Sequence, residues 1–67
     1  MELYKVTLPY GKKKFYESKR MFDKHWPRNE QKSNYGSVSA YILDWNEREW
    51  RCIRTINKRA GLNYYSG

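Results

Sequence analysis

The 67 residues carry 14 Lys+Arg against 7 Asp+Glu, a formal net charge of +7, and their aromatic set is three Trp, seven Tyr and two Phe. A chain this short forms one domain and needs an economical core, a disulfide, a metal or a partner to stay folded. Cys52 and His25 are the single Cys and His, which excludes an internal disulfide and a zinc site built on those ligands, and no apolar run approaches the roughly 20 residues of a membrane-spanning helix.

In chain order, Leu3 to Leu8 alternates, with Tyr4, Val6 and Leu8 on one side and Leu3, Lys5 and Thr7 on the other, the pattern of a half-buried strand. Pro9-Tyr10-Gly11 has turn chemistry, and Lys12 to Glu17 pairs back as a second strand with Phe15 inward and Lys14 and Tyr16 outward. Ser18 then caps a short helix predicted to run to Trp26, with Met21, Phe22, His25 and Trp26 on one face and Pro27 ending it. Arg28 to Gly36 is polar and reads as a mobile loop.

Val38, Ala40 and Ile42 alternate with Ser39, Tyr41 and Leu43, and Asp44-Trp45-Asn46-Glu47-Arg48 connects this run to a second one, Glu49 to Ile56. In a regular last strand Trp50, Cys52 and Ile56 share one face, while Arg51, Ile53 and Thr55 share the other, placing Arg51 and Arg54 on opposite faces. The expected fold is α+β: a small antiparallel ββαββ sheet with one short helix on one face, residues 1–57, followed by a basic, flexible tail over 58–67. The aliphatic residues are few, so Phe, Trp and Tyr must complete the core, with Phe15, Phe22 and Trp50 as the candidates.

Charge is unevenly spread. Residues 1–29 hold eight basic and three acidic groups, 30–49 two basic and four acidic, and 50–67 four basic groups and no acid. Lys12, Lys13 and Lys14 at the first hairpin form the densest cluster, flanked by Tyr10 and Tyr16. Lysines beside aromatics suit phosphates and unpaired bases, although lysines also protect sheet edges from aggregation. Arg48, Arg51, Arg54, Lys58 and Arg59 form a second set, in which Arg48 is expected to pair with Asp44, Glu47 or Glu49. Trp45 in a connector has the placement of an interface anchor or, equally, of a ring folded back over the sheet edge. The candidate partner-binding residues are therefore Lys12, Lys13, Lys14, Tyr16, Tyr41, Trp45, Arg51, Arg54, Lys58 and Arg59.

No catalytic constellation stands out. His25 has no acid or second His at helical spacing, Cys52 inside a strand reads as a small buried hydrophobe, and the four glycines are too scattered for a phosphate loop. Asp44, Glu47 and Glu49 are the acids from which a Mg²⁺ site would be built, but three acids on one turn are accounted for by hydration. The expectation is no enzyme, no cofactor and no metal. The opening Met1-Glu2-Leu3-Tyr4-Lys5 lacks the order of a secretion signal and the lone cysteine fits a reducing compartment, so a cytoplasmic protein without a membrane association is expected.

The runs Leu3-Tyr4-Lys5-Val6, Lys14-Phe15-Tyr16-Glu17-Ser18, Tyr41-Ile42-Leu43-Asp44-Trp45-Asn46 and Glu49-Trp50-Arg51-Cys52-Ile53 together resemble small early host-takeover proteins of bacteriophages. The opening Met1-Glu2-Leu3-Tyr4-Lys5-Val6 is similar to that of phage antitoxins of the Dmd type, and the strand–strand–helix–strand order is similar to phage inhibitors of host RNA polymerase. The resemblance spans most of residues 1–56 as a pattern and carries no functional residue across. It implies a non-enzymatic inhibitor, in the host cytoplasm, that binds a host protein with an acidic or nucleic-acid-handling surface. Trp45, Tyr41 and Arg51 would then be its anchors and Lys12–Lys14 its rim. The alternative is direct DNA or RNA binding through phosphates and stacked bases, and a third reading is a basic packaging component. The acidic turn between two basic blocks favours the inhibitor, and exposed sheet edges suggest a homodimer.

Overall fold

The computed structural model describes residues 2–66; Met1, where the phage-like opening starts, and Gly67, where the expected tail ends, lie outside the described residues. Five strands, β1 (Tyr4–Thr7), β2 (Lys13–Tyr16), β3 (Val38–Asp44), β4 (Glu49–Asn57) and β5 (Leu62–Tyr65), accompany one helix, α1 (Lys19–Gln31). The sheet order is β2-β1-β3-β4-β5 with every neighbouring pair antiparallel. The α+β architecture with a helix over one sheet face is as expected, with one strand more. Among the described residues no helix is long and apolar enough to cross a membrane.

β1 buries Tyr4 and Val6, with Leu8 just beyond it, as its alternation predicts. β2 is out of phase with the expectation. Leu8 N–H donates to the Lys12 carbonyl at 2.7 Å across the turn Pro9–Gly11, and this closure sets Tyr16 opposite Tyr4 and Lys14 opposite Val6. A register change of one residue sends every side chain of a strand to the other face. Tyr16 and Lys14 therefore lie on the helix side, and Phe15 lies on the open side, 55% exposed.

α1 starts where Ser18 caps it, its hydroxyl accepting the Met21 N–H at 3.2 Å. It does not stop at Pro27. A proline inside a helix removes one backbone bond and costs about 3 kcal/mol. Contacts on either side of it offset that cost: Trp26 and Asn29 are buried, and the Asn29 amide donates to the Tyr16 hydroxyl at 3.0 Å. The helix runs to Gln31 and continues as a 3₁₀ turn, Lys32–Asn34, in which Ser33 is buried and donates to the Glu30 carbonyl at 2.6 Å. The segment expected as a mobile loop is thus largely helical. Beneath it lies an aromatic stack: the Tyr4 and Phe22 rings are 4.7 Å apart and nearly parallel, with Trp26 5.5 Å from Phe22. Val6, Leu8, Val38, Ala40 and Ile56 complete the core. His25 lies over Tyr16, centroids 5.4 Å apart, as a packing group, and Met21 on the same stretch stays exposed.

β4 departs most from the sequence reading. It pairs Arg54 with Ala40 but Cys52 with Tyr41, so Ile53 is the extra residue of a bulge. The bulge reverses the parity of the strand at that point. Trp50, Cys52 and Thr55 come to share the open face, and Arg51, Arg54 and Ile56 the helix face. Trp50 is half-buried on the open face and not in the core; Cys52 is exposed, its Sγ 3.2 Å from Thr55 Oγ1.

Residues expected in a tail form a turn and β5, which pairs Tyr65 with Arg54 and Leu62 with Asn57. The Arg54 guanidinium lies 4.9 Å from the Phe22 ring, 4.9 Å from Trp26 and 5.2 Å from Tyr65. Asp23 stands 4.0 Å from it on the helix. Trp26 Nε1–H donates to the Tyr65 hydroxyl, which donates onward to Glu30, each at 3.3 Å. Arg54→Ala is expected to lower stability by about 2 kcal/mol, the scale of a desolvated cation–π site. For a domain of this size that is a fall of about 10 °C in thermal midpoint, measured by circular dichroism. Arg54→Lys recovers part of it, because it keeps the charge and loses the flat stack.

Candidate functional site

The turn between β1 and β2 carries the clearest local strain. Tyr10 adopts φ 67° and ψ 21°, the left-handed region, followed by Gly11 at φ 80°. Glycine tolerates this; a tyrosine there costs about 1–2 kcal/mol. The conformation holds the Tyr10 ring in solvent, 89% exposed. Behind it Pro9 packs on Gly36, where a Cβ would sit 3.3 Å from Pro9 Cβ and Cγ. Any larger residue at position 36 would push the hairpin tip away from the segment entering β3.

This closure leaves a cleft of about 490 Å³ between the hairpin and the end of α1, lined by Leu8, Pro9, Tyr10, Lys12, Lys14, Lys32 and Tyr35. A second hollow of about 510 Å³ shares Lys32 and Tyr35 and adds Arg28, Gln31 and Asn34. Both fall in the size range of ligand clefts. The two hollows adjoin at Lys32 and Tyr35, four cations line this grooved surface without an acidic side chain in its walls, and among the described residues none of the four makes an ion pair. Tyr35, 63% exposed, lines the first cleft together with Tyr10. Arg28 and Lys32 also complement the negative end of the α1 dipole. That role does not extend to Lys12 and Lys14, which come from the hairpin. Unpaired like charges gathered in a cleft raise the local concentration of anions.

The ten sequence-predicted residues disperse. Lys12 and Lys14 line the cleft, while Lys13 lies across the sheet from it, opposite Thr7. Tyr16 is packed inside against Asn29 and His25. Tyr41 is on the open face beneath Lys5, and Trp45 is 54% exposed on the β3–β4 turn. Lys58 and Arg59 are exposed on the β4–β5 turn, where Lys58 N–H donates to the Ser33 carbonyl at 3.1 Å. Arg54 is held in its aromatic cage. Arg51, rather than Arg48, satisfies the acidic turn: its Nε donates to Asp44 Oδ2 at 2.6 Å and Nη2 is 3.9 Å from Glu49. The bulge thus places Arg51 and Arg54 on one face, against the expectation, with Arg51 in an exposed ion pair at the acidic turn and Arg54 against the aromatic rings.

Asp44 Oδ1 accepts the N–H groups of Asn46 and Glu47 at 3.0 and 3.1 Å. The Glu47 N–H first, and then Arg51, hold the Asp44 carboxyl below the usual carboxylate range. Among the described residues no group of three or more His, Cys, Asp or Glu is placed to hold a metal.

A helix that ends at Pro27 leaves Arg28, Lys32 and Tyr35 in a loop and hides their approach to the first hairpin. The signal that could have found them is the i,i+4 spacing of Arg28 and Lys32, which a helix continuing past Pro27 would have put on one face.

No protein-family model, curated protein or solved structure matches the chain.

Tyr10→Asn is expected to raise stability by about 1 kcal/mol in urea unfolding, because Asn adopts the left-handed region at lower cost. Asp44 contributes stability that is complete above the unfolded carboxylate value of about 3.9 and is lost as pH falls through its lower folded value. The gap in unfolding free energy between the wild type and Asp44→Asn should therefore be open at neutral pH and narrow progressively in acid.

Proposed function

We propose that this protein is a non-enzymatic nucleic-acid-binding module that grips phosphates in the groove between its first hairpin and the end of its helix. The observation that carries the reading is the convergence of Lys12, Lys14, Lys32 and Arg28, none of them ion-paired among the described residues, beside two exposed tyrosines. Each lysine that neutralises a phosphate releases condensed counterions, so affinity is expected to fall steeply with salt. Tyr10 and Tyr35 offer π-faces on which an unpaired base can stack, worth about 1–3 kcal/mol per base.

Direct binding is favoured over a phage-type inhibitor docked on a host protein. Arg51, one of that reading's anchors, is held by Asp44 and Glu49, and Arg54 is enclosed by three rings. What supports the inhibitor is Trp45, 54% exposed beside Glu47 on a turn remote in sequence from the groove.

Fluorescence anisotropy of a labelled oligonucleotide at about 0.15 M salt tests the proposal. Lys14→Glu with Lys32→Glu should weaken binding at least about tenfold and reduce the slope of log affinity against log salt by about 1.4 for a single strand. The charge-matched pair Arg20→Glu with Lys24→Glu, on the first turns of α1, should retain most of the affinity. Equal losses from the two pairs would reduce the groove to a share of net charge. No binding by the wild type, with capture of one host protein instead, would move the assignment to the inhibitor.

A further inference from the structure

α1 covers one face of the sheet. The other face carries Phe15 on β2, Tyr41 on β3, Trp50 on β4 and Tyr64 on β5, together with Lys5 and Lys13. Phe15 is 55% and Tyr64 49% exposed. β2 and β4 are separated by two strands, a span of about 14 Å at normal strand spacing. Even so, the Phe15 and Trp50 rings approach to 6.2 Å between centroids, leaning together over the strands between them. Lys5 lies in this aromatic row, its ammonium 4.8 Å from the Tyr41 ring and 4.6 Å from the Trp50 ring. It has no carboxylate partner among the described residues; the ring faces are what it rests on.

We infer that this open face is a stacking platform for the bases of a single-stranded nucleic acid whose phosphates occupy the groove. The inference rests on the proposed function and narrows its ligand to single strands. Charge selects the occupant. No strand position on this face is acidic, so a second copy seated face to face would bring the Lys5 and Lys13 of both chains together without compensation. A nucleic acid supplies both complements, π-faces for the rings and phosphates for the ammonium groups.

The two surfaces are joined by β2. It is an edge strand, and its residues alternate: Lys14, like Lys12 just before it, serves the groove, and Lys13 and Phe15 serve the platform. A flexible strand passes around that edge from one surface to the other. A duplex does not, because its bases are already paired and stacked. On arrival a phosphate draws the Lys5 ammonium off the rings, leaving the Tyr41 and Trp50 faces for a base.

The test uses intrinsic tryptophan fluorescence of the full chain titrated with an unlabelled oligothymidylate of about 12 nucleotides, within the site sizes of stacking platforms. The expected result is quenching of wild-type emission, most of which is absent in Trp50→Phe, where the reporter is gone and an aromatic ring is kept. Phe15→Ala, at an exposed position, should weaken single-strand binding about tenfold, equivalent to one lost stacked base. It should leave the salt slope unchanged, since no phosphate contact is removed, and a circular dichroism melt of the variant separates weakened binding from unfolding. A duplex of the same length should bind more weakly and quench less.

Salt-dependent binding with no Trp50 quenching and an unchanged Phe15→Ala affinity would overturn the platform while leaving the groove in place. A duplex bound as tightly as the single strand would do the same. A concentration-dependent dimer in sedimentation that Phe15→Ala abolishes would assign the face to a second copy. Absence of any oligonucleotide binding by the wild type would remove the proposed function and this inference together.

Discussion

The lodging of Arg54 between the helix and the sheet is the interaction on which the rest of the fold depends. A guanidinium on the covered face of a sheet is costly unless something replaces water around it. Here Phe22 and Trp26 from α1 and Tyr65 from β5 do so with their π-faces, and Asp23 supplies a carboxylate at the margin. One side chain therefore ties three elements together. It does so because the bulge at Ile53 turns Arg54 toward the helix; in a regular strand it would point to the open face. Tyr65 extends the same cluster through its hydroxyl to Trp26 and Glu30, which anchors β5 against α1.

The constraint reaches the groove. Trp26 is seated by Arg54 and Tyr65, and this anchorage, with the Asn29–Tyr16 hydrogen bond one turn later, holds the helix together across Pro27. The final turn that results carries Arg28 and Lys32 toward the first hairpin, where Lys12 and Lys14 wait. Strain at Tyr10 and the Pro9–Gly36 contact close the other wall. A thin aliphatic supply is thus compensated by aromatics that serve as core on one face and remain exposed on the other. Of the twelve rings, Tyr4, Phe22 and Trp26 are the ones buried.

Much of the architecture was legible in the residues. The alternation of Tyr4, Val6 and Leu8, the Ser18 cap and the paired runs around the Asp44–Arg48 turn all have local causes, and local causes survive folding. Lys12 and Lys14 were legible as cations but not as facing Lys32. The phase of β2 was not legible, because one residue of turn geometry decides whether Phe15 or Tyr16 faces the core. The fate of residues 58–65 was equally hidden: Leu62 to Tyr65 has strand-forming residues, but its partner is a strand whose own parity depends on a bulge.

The class of the molecule can be read without the fold: small and α+β, strongly basic, with its positive charge in two blocks around an acidic turn. Those properties follow from composition and short-range periodicity, which do not depend on what lies across the chain. Which charges stay available depends on how the strands and helix pack. Arg51 is paired with Asp44 and Arg54 sits in an aromatic cage, whereas Arg28 and Lys32 join Lys12 and Lys14 along the groove, where among the described residues none of the four is ion-paired. The physical reason is parity and packing. A single inserted residue in β4, and burial contacts strong enough to carry a helix through proline, redistribute side chains between faces in a way that no local pattern records.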